Sequence, residues 1–348
     1  MTERYEATQP IDIVSVGVVA YNEEQYLLCL LEDIASQDFP HNKIELILID
    51  GASSDGTKQI MKDFSVSAVA SDFFRVVLLD NPKKILPAGC NVMLENFTGD
   101  CIVRIDAHAR LPKDFISQNV AVLDEGEYVS AGPRPTIAEP KTAASTMLLM
   151  AEDSAFGSSV ADYRFSSKKE YVSSAFHAMF RRCAVEAVGL YNEALSRTED
   201  NDYFYRLGKE GYRIRFDGRI QSKQIARSTY KRMMKQKYGN GFWIGRTMYV
   251  QPKCFKIYHF APFAFVIGIA LLALIGLLAS WIPFVIAGIL YALCCVLLSV
   301  KAIIEKKVFS AYQLLLPFVF VSIHVVYGVG TVAGLVSGFI NKLTHNKG

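Results

Sequence analysis

Three long apolar runs near the C-terminus limit what this chain can fold into. "APFAFVIGIALLALIGLLAS" (261–280), "IPFVIAGILYALCCVLLSV" (282–300) and "YQLLLPFVFVSIHVVYGVGTVAGLVSGFI" (312–340) each approach or exceed the roughly 18–20 uncharged residues that a helix needs to cross a bilayer. None has a polar face, and only Trp281 and "KAIIEKKVFSA" (301–311) separate them, so three membrane helices are expected rather than core helices of a soluble domain. They account for a hydrophobic content of 51% and a positive mean hydropathy, which an ordinary soluble enzyme does not reach.

The start, "MTERYEATQPID" (1–12), is charged and polar and lacks the basic-then-apolar layout of a secretory signal, so the part before the first apolar run is expected in the cytoplasm. Lys253 and Lys256 before the first run, and Lys301, Lys306 and Lys307 between the second and third, mark one cytoplasmic side; Lys342 and Lys347 weigh mildly against it. The seven cysteines show no metal spacing and no paired framework, which predicts reduced thiols. A net charge of +3 gives no reason to expect a nucleic-acid partner.

Before the apolar runs, strands and helices alternate. "DIVSVGVVA" (12–20) reads as a buried strand, and "IELILID" (44–50), "FRVVLLD" (74–80) and "CIVRID" (101–106) read as a second, third and fourth strand. "EEQYLLCLLEDIAS" (23–36), amphipathic through Tyr26, Leu27, Leu30, Leu31 and Ile34, "SSDGTKQIMKDF" (53–64) and "PAGCNVMLENF" (87–97) read as the helices between them. Such alternation predicts an α/β domain with a mostly parallel, Rossmann-like sheet, in which ligands bind outside the carboxyl ends of the strands. Asp50 and Asp106 end the second and fourth strands. The first strand-to-helix turn, "AYNEEQY", has no glycine, which excludes a dinucleotide fingerprint or a phosphate-cradling loop there. Asp50 could instead accept hydrogen bonds from a base or ribose, and Asp106 with His108 could hold a divalent metal on a diphosphate. Residue types alone leave Asp106 and His108 open between that role and simple turn and capping groups.

"VVAYNEEQYL", "LILIDGASSDGT", "RIDAHA" and "RTEDNDYFYRLGKEGYRIRF", in this order, resemble the motifs of inverting family-2 glycosyltransferases of the GT-A fold over roughly residues 11–245. "NPKKILPAGCN" and "DAH" in place of Asp-x-Asp are most similar to membrane-bound transferases that build succinoglycan-type exopolysaccharides. The resemblance implies a GT-A domain over 1–229; the composition of 230–259 is that of a basic and aromatic helical segment at an anionic membrane surface, and the apolar runs make 260–348 transmembrane helices. It implies that Tyr21, Glu23 and Asp50 contact the uridine of a UDP-sugar, with Lys84, Asn91 and Asp106 lining the nucleotide pocket; Lys84 reads also as a solvated surface lysine. Gly51 stands where relatives carry a second aspartate. Asp106 and His108 would hold the metal, manganese rather than magnesium because imidazole suits it better.

Asp200 would be the general base that takes the proton of an acceptor hydroxyl, with Glu199 shaping the site; without the other motifs this acidic cluster reads as the first turn of a helix. Phe176 and His177 would flank the sugar or acceptor, His177 reading also as a buried, satisfied histidine. Gln236 and Trp243 are what remains of a Gln-x-x-Arg-Trp element that covers the diphosphate in relatives. The expected activity is transfer from a UDP-sugar to a hydroxyl of a polyprenyl-linked glycan at the inner (plasma) membrane. Transfer to polyprenyl phosphate itself, and an inactive membrane scaffold of the same fold, are the alternatives.

Overall fold

The computed structural model describes residues 9–157, 169–226 and 229–345. Most of the polar N-terminus (1–8) and Lys347 therefore lie outside the described residues. In chain order the elements are β1 (Val14–Ala20), α1 (Glu24–Ala35), β2 (Ile44–Asp50), α2 (Thr57–Ser65), β3 (Arg75–Asp80), α3 (Leu86–Asn96), β4 (Cys101–Asp106), β5 (Ala109–Arg110), α4 (Phe115–Asp124), β6 (Val129–Ala131), β7 (Thr136–Ile137) and α5 (Ala143–Asp153). There follow β8 (Glu170–Val172), β9 (Met179–Arg181), α6 (Arg182–Val188), α7 (Glu199–Lys209), β10 (Ile214–Phe216), β11 (Lys223–Ile225), α8 (Tyr230–Thr247), α9 (Ala261–Leu278), α10 (Ile282–Lys306) and α11 (Leu316–His345). Contacts divide them into two compact units, one within Met1–Pro135 and Asp162–Ile225, the other within Thr136–Ala161 and Ala226–Gly348. The excursion of 136–161 into the second unit has no counterpart in the sequence reading.

The first unit is built on an eight-stranded sheet of order β3-β2-β1-β4-β9-β6-β10-β8. Strands β1 to β4 run parallel, as the alternating pattern predicts, and β9 is antiparallel to both β4 and β6. Every residue of β2 is buried, which is why its sequence is apolar throughout rather than alternating. The exceptions are Asp50 at its end and Glu45, which is neutralised by Arg75 at 2.7 Å and by hydrogen bonds from Ser15 and Thr98. Helix α1 buries Leu27, Leu30, Leu31 and Ile34, four of the five residues expected on its inner face. The order 3-2-1-4 puts the reversal of strand direction of winding between β1 and β4, the place where open α/β sheets leave a crevice for a ligand.

In the second unit α9, α10 and the segment Ala311–Thr344 are each long and apolar enough to cross a membrane. The stretch expected as a loop from Lys301 begins later: α10 continues to Lys306, where Lys301 and Glu305 pair one turn apart, and ends at Lys307 in the left-handed region (φ 52°). Helix α8 carries Gly241 and Gly245, and α11 carries Gly330 and Gly334; a Cβ on Gly241 would stand 2.0 Å from the Tyr327 carbonyl oxygen, and one on Gly334 1.9 Å from that of Phe242. The two backbones touch, and only glycine permits that. The basic helix is thus laid along the last apolar helix, which its composition alone did not reveal. Helix α5 adds Met147 and Leu148 to a core with Met233, Leu316, Phe320 and Ile323, and its Glu152 meets the buried Lys237 at 2.9 Å.

Candidate active site

The carboxyl edge of the parallel strands is a row set by register: Ala20 lies beside Asp50, Asp50 beside Asp80, and Val19 beside Asp106. The loops that follow this edge are strained. Asn22 after β1, Ala52 after β2 and Lys84 after β3 all hold positive φ (54°, 57° and 59°), as does His177 (48°) just before β9. Non-glycine residues in this region cost about 1–3 kcal/mol each and cluster where a site must be held open. Asn22 laces two of these loops: its main-chain N–H donates to Ser53 Oγ (3.0 Å) and its side-chain oxygen accepts from Ser54 N–H (2.8 Å). Asp50, 1% exposed, accepts from Ser53 N–H at 3.3 Å, whereas Tyr21 at the same edge is 51% exposed. Asp55, not Asp50, meets the first turn of α2, accepting from Thr57 N–H at 3.0 Å.

Asp106 sits beside two arginines and a histidine. Arg134 Nη1 is 3.0 Å from Oδ2, His177 Nε2 3.5 Å from the same oxygen, and Arg104 Nη2 3.9 Å from Oδ1. Burial alone would raise the pKa of Asp106; the His177 hydrogen bond and the charges of His177, Arg104 and Arg134 outweigh it and hold the carboxyl well below its usual range. Burial pushes His177 the other way, below its ordinary value, and its Nδ1 lies 3.0 Å from Ser222 Oγ. Arg134 stacks on Phe176, 3.5 Å from the ring centre. It comes from "GPRP", where Gly132 passes so close to Ile220 that a Cβ would fall 1.8 Å from its carbonyl oxygen. Sequence reasoning missed Arg134; an arginine between two prolines, whose fixed φ extends the chain, was the available signal. His108 faces elsewhere: Gln224 reaches its Nε2 at 3.0 Å, and its Nδ1 is buried 3.2 Å from Glu23 Oε1 without a hydrogen bond. Glu23, expected at the uridine, thus stands beside the histidine. Among the described residues no three His, Cys, Asp or Glu side chains form a ready-made metal site.

The acidic pair at the start of α7 meets β4. Asp200 Oδ2 accepts from Arg104 Nη2 at 3.0 Å, and Arg104 Nη1 is 3.9 Å from Glu199 Oε1. Asp200 keeps 30% of its side chain exposed while Glu199 is buried, its Oε2 without a hydrogen-bond partner. Burial, then the charge of Asp200, pushes Glu199 up to about 8, so Glu199 holds its proton at neutral pH. Asp202 is committed to Arg206 at 2.9 Å. Arg104 also escaped sequence reasoning, although a charged residue inside "CIVRID" was its signal.

The remaining candidates scatter. Asn91 is buried and uses its amide on the protein, donating to the Tyr191 carbonyl (3.1 Å) and to Glu193 (3.2 Å) and accepting from Tyr191 N–H (2.7 Å). Lys84 is exposed in its strained loop. Gln236 and Trp243 lie on α8 in the second unit, where Arg246 stands over the indole at 5.2 Å.

Residues 15–189 match the model of glycosyl transferase family 2. The chain is 29% identical over 231 residues to the succinoglycan biosynthesis protein ExoA of Rhizobium meliloti (strain 1021), which covers 65% of this chain and 67% of that protein. It is 21% identical over 335 residues to the dolichyl N-acetyl-alpha-D-glucosaminyl phosphate 3-beta-D-2,3-diacetamido-2,3-dideoxy-beta-D-glucuronosyltransferase of Methanococcus voltae, covering 94% of this chain and 98% of that one. Among solved structures, the mannosyltransferase PcManGT from Pyrobaculum calidifontis, in complex with GDP-Man and Mn2+, shares the fold at a TM-score of 0.63 and 17% identity, covering 97% of this chain and 89% of that one. With its motifs at the carboxyl edge of a mostly parallel sheet and half its length matched by the family model, the chain belongs to glycosyl transferase family 2 and carries the GT-A fold.

Proposed function

We propose that this glycosyltransferase is membrane-anchored and inverting, and moves a sugar from a UDP-sugar to a hydroxyl of a polyprenyl-linked glycan. The observation that carries this is the division of labour at the start of α7: one carboxylate partly exposed and held by Arg104 at 3.0 Å, its neighbour buried, with its pKa pushed up by that burial and by the Asp200 charge. A sugar hydroxyl needs such a base, because it must lose its proton as it attacks; a phosphate acceptor is already ionised and needs none. Asp200 takes that proton while the new bond to the anomeric carbon forms and the bond to the departing diphosphate breaks. Asp50, with Tyr21 at the same edge, binds the nucleotide.

Asp106 and His108 are the two residues that would hold a divalent metal, completed by the donor's diphosphate oxygens; His108 Nδ1, without a hydrogen bond, rests 3.2 Å from Glu23 Oε1 and Asp106 rests on Arg134, so each would exchange that partner for the cation. Imidazole favours manganese over magnesium. When bound, the cation supplies charge to the leaving diphosphate. Arg134 and His177 hold Asp106 in place, and Phe176 supports Arg134. The lysines at 253, 256, 301, 306 and 307 support a catalytic part on the cytoplasmic side of the plasma membrane. The Methanococcus voltae relative, whose substrate is already a dolichyl-linked sugar, supports a lipid-linked acceptor.

The test is Asp200→Asn in the full chain, with UDP affinity and UDP release measured separately. Binding should persist and turnover on a lipid-linked acceptor should fall by about 100-fold or more, the usual worth of a general base. Turnover near the parent rate would move the base elsewhere.

A further inference from the structure

An arginine on a central strand of a buried sheet is costly unless its charge is used. On β4, Cys101, Val103 and Ile105 pack into one core layer and Ile102 into the other. Alternation puts Arg104 and Asp106 on the side of Ile102. Its register neighbour on β1 is Gly17, and the side chain of Met93 on α3 fills the space that a Cβ there would take. The guanidinium has two well-made contacts: Nη2 donates to Asp200 Oδ2 at 3.0 Å, and Nη1 donates to Cys90 Sγ on α3 at 3.4 Å. Glu199 and Asp106 stand further off, each at 3.9 Å. An apolar side chain of similar volume would stabilise this layer as well or better, so packing alone gives no reason for an arginine. The fork is also occupied within the protein, which argues against direct substrate binding.

We infer that Arg104 is a positioning residue that clamps the Asp200 carboxylate toward the crevice and fixes the negative charge of the Glu199–Asp200 pair on Asp200. The inference rests on the reading of Asp200 as the base. Of two adjacent carboxyls, the one bonded to the guanidinium keeps its charge, and the one buried without a partner keeps a proton. Cys90 secures the other arm of the fork, so Arg104 holds its aim while the acceptor enters.

A double-mutant cycle in the full chain tests this, with Arg104→Met, Asp200→Asn and the two together, assayed for kcat and, separately, for UDP affinity. Arg104→Met should lower kcat by about 100-fold while UDP affinity stays within about threefold, because the clamp acts only on the proton transfer. In the Asp200→Asn background the same change should cost less than about twofold. Arg104→Lys restores charge without the fork and should recover about tenfold. An unchanged kcat in Arg104→Met, or a loss of equal size in both backgrounds, overturns the clamp. Full turnover in Asp200→Asn alone overturns the base and the clamp with it, so the two failures are told apart. If Arg104→Met loses UDP binding through misfolding, the cycle is run on Arg104→Lys, where the same non-additivity is required.

Discussion

Glu199→Gln separates the two carboxyls of α7 by charge rather than by position. In the folded protein the Glu199 carboxyl is 4% exposed, and burial together with the Asp200 charge raises its pKa from 4.5 to about 8. Between pH 4.5 and about 8 the folded state therefore binds one proton that the unfolded chain has lost. Stability falls as pH rises through that window and levels off above it. At about 1.36 kcal/mol per pKa unit, the penalty at high pH is on the order of 5 kcal/mol. Glutamine has the shape of the protonated acid and cannot ionise, so the variant escapes the penalty. Thermal unfolding of the detergent-purified full chain at about pH 5, 7 and 9 should show the parent losing stability relative to Glu199→Gln as pH rises, with the two close at the lowest pH. Turnover of the variant at about pH 7 should stay within a few-fold of the parent, because the working enzyme already holds Glu199 neutral. Parallel unfolding curves would mean that Glu199 is ionised in the fold. A collapse of turnover comparable to that of Asp200→Asn would make Glu199 the base.

His108→Ala should weaken metal-dependent UDP binding measured by calorimetry with manganese, and His108→Asp should keep that binding and accept magnesium more readily; an alanine variant with unchanged manganese dependence would remove His108 from the metal. Gly334→Leu should force α8 and α11 apart by about 1.5 Å, since a Cβ there falls 1.9 Å from the Phe242 carbonyl oxygen, and lower stability by about 1–3 kcal/mol in a thermal melt; Gly268→Leu on α9, where a Cβ meets nothing within 4 Å, is the control and should melt like the parent.

What could be read along the chain is what short-range periodicity and length determine. The four parallel strands announced themselves as apolar runs, α1 as an amphipathic repeat, and the membrane helices by their length, because each of these depends on neighbours a few residues away. The carboxylates that end β2 and β4 were legible for the same reason: a strand that stops on an aspartate delivers it to the edge of the sheet. What surrounds those carboxylates was not legible. Arg104 meets Asp200 across 96 residues, Asn91 clasps Tyr191 across 100, and Arg134 reaches Asp106 from a segment 28 residues away. No spacing rule couples such pairs, and only the order of strands in the sheet brings them together. The glycines of α8 and α11 are the same case in the second unit. Each reads locally as a weak spot in a helix, and its purpose exists only once another backbone lies against it. The chain therefore declares which groups stand at the edge of its sheet, while the packing of distant elements decides which of them is charged, which is protonated and which is held in place for chemistry.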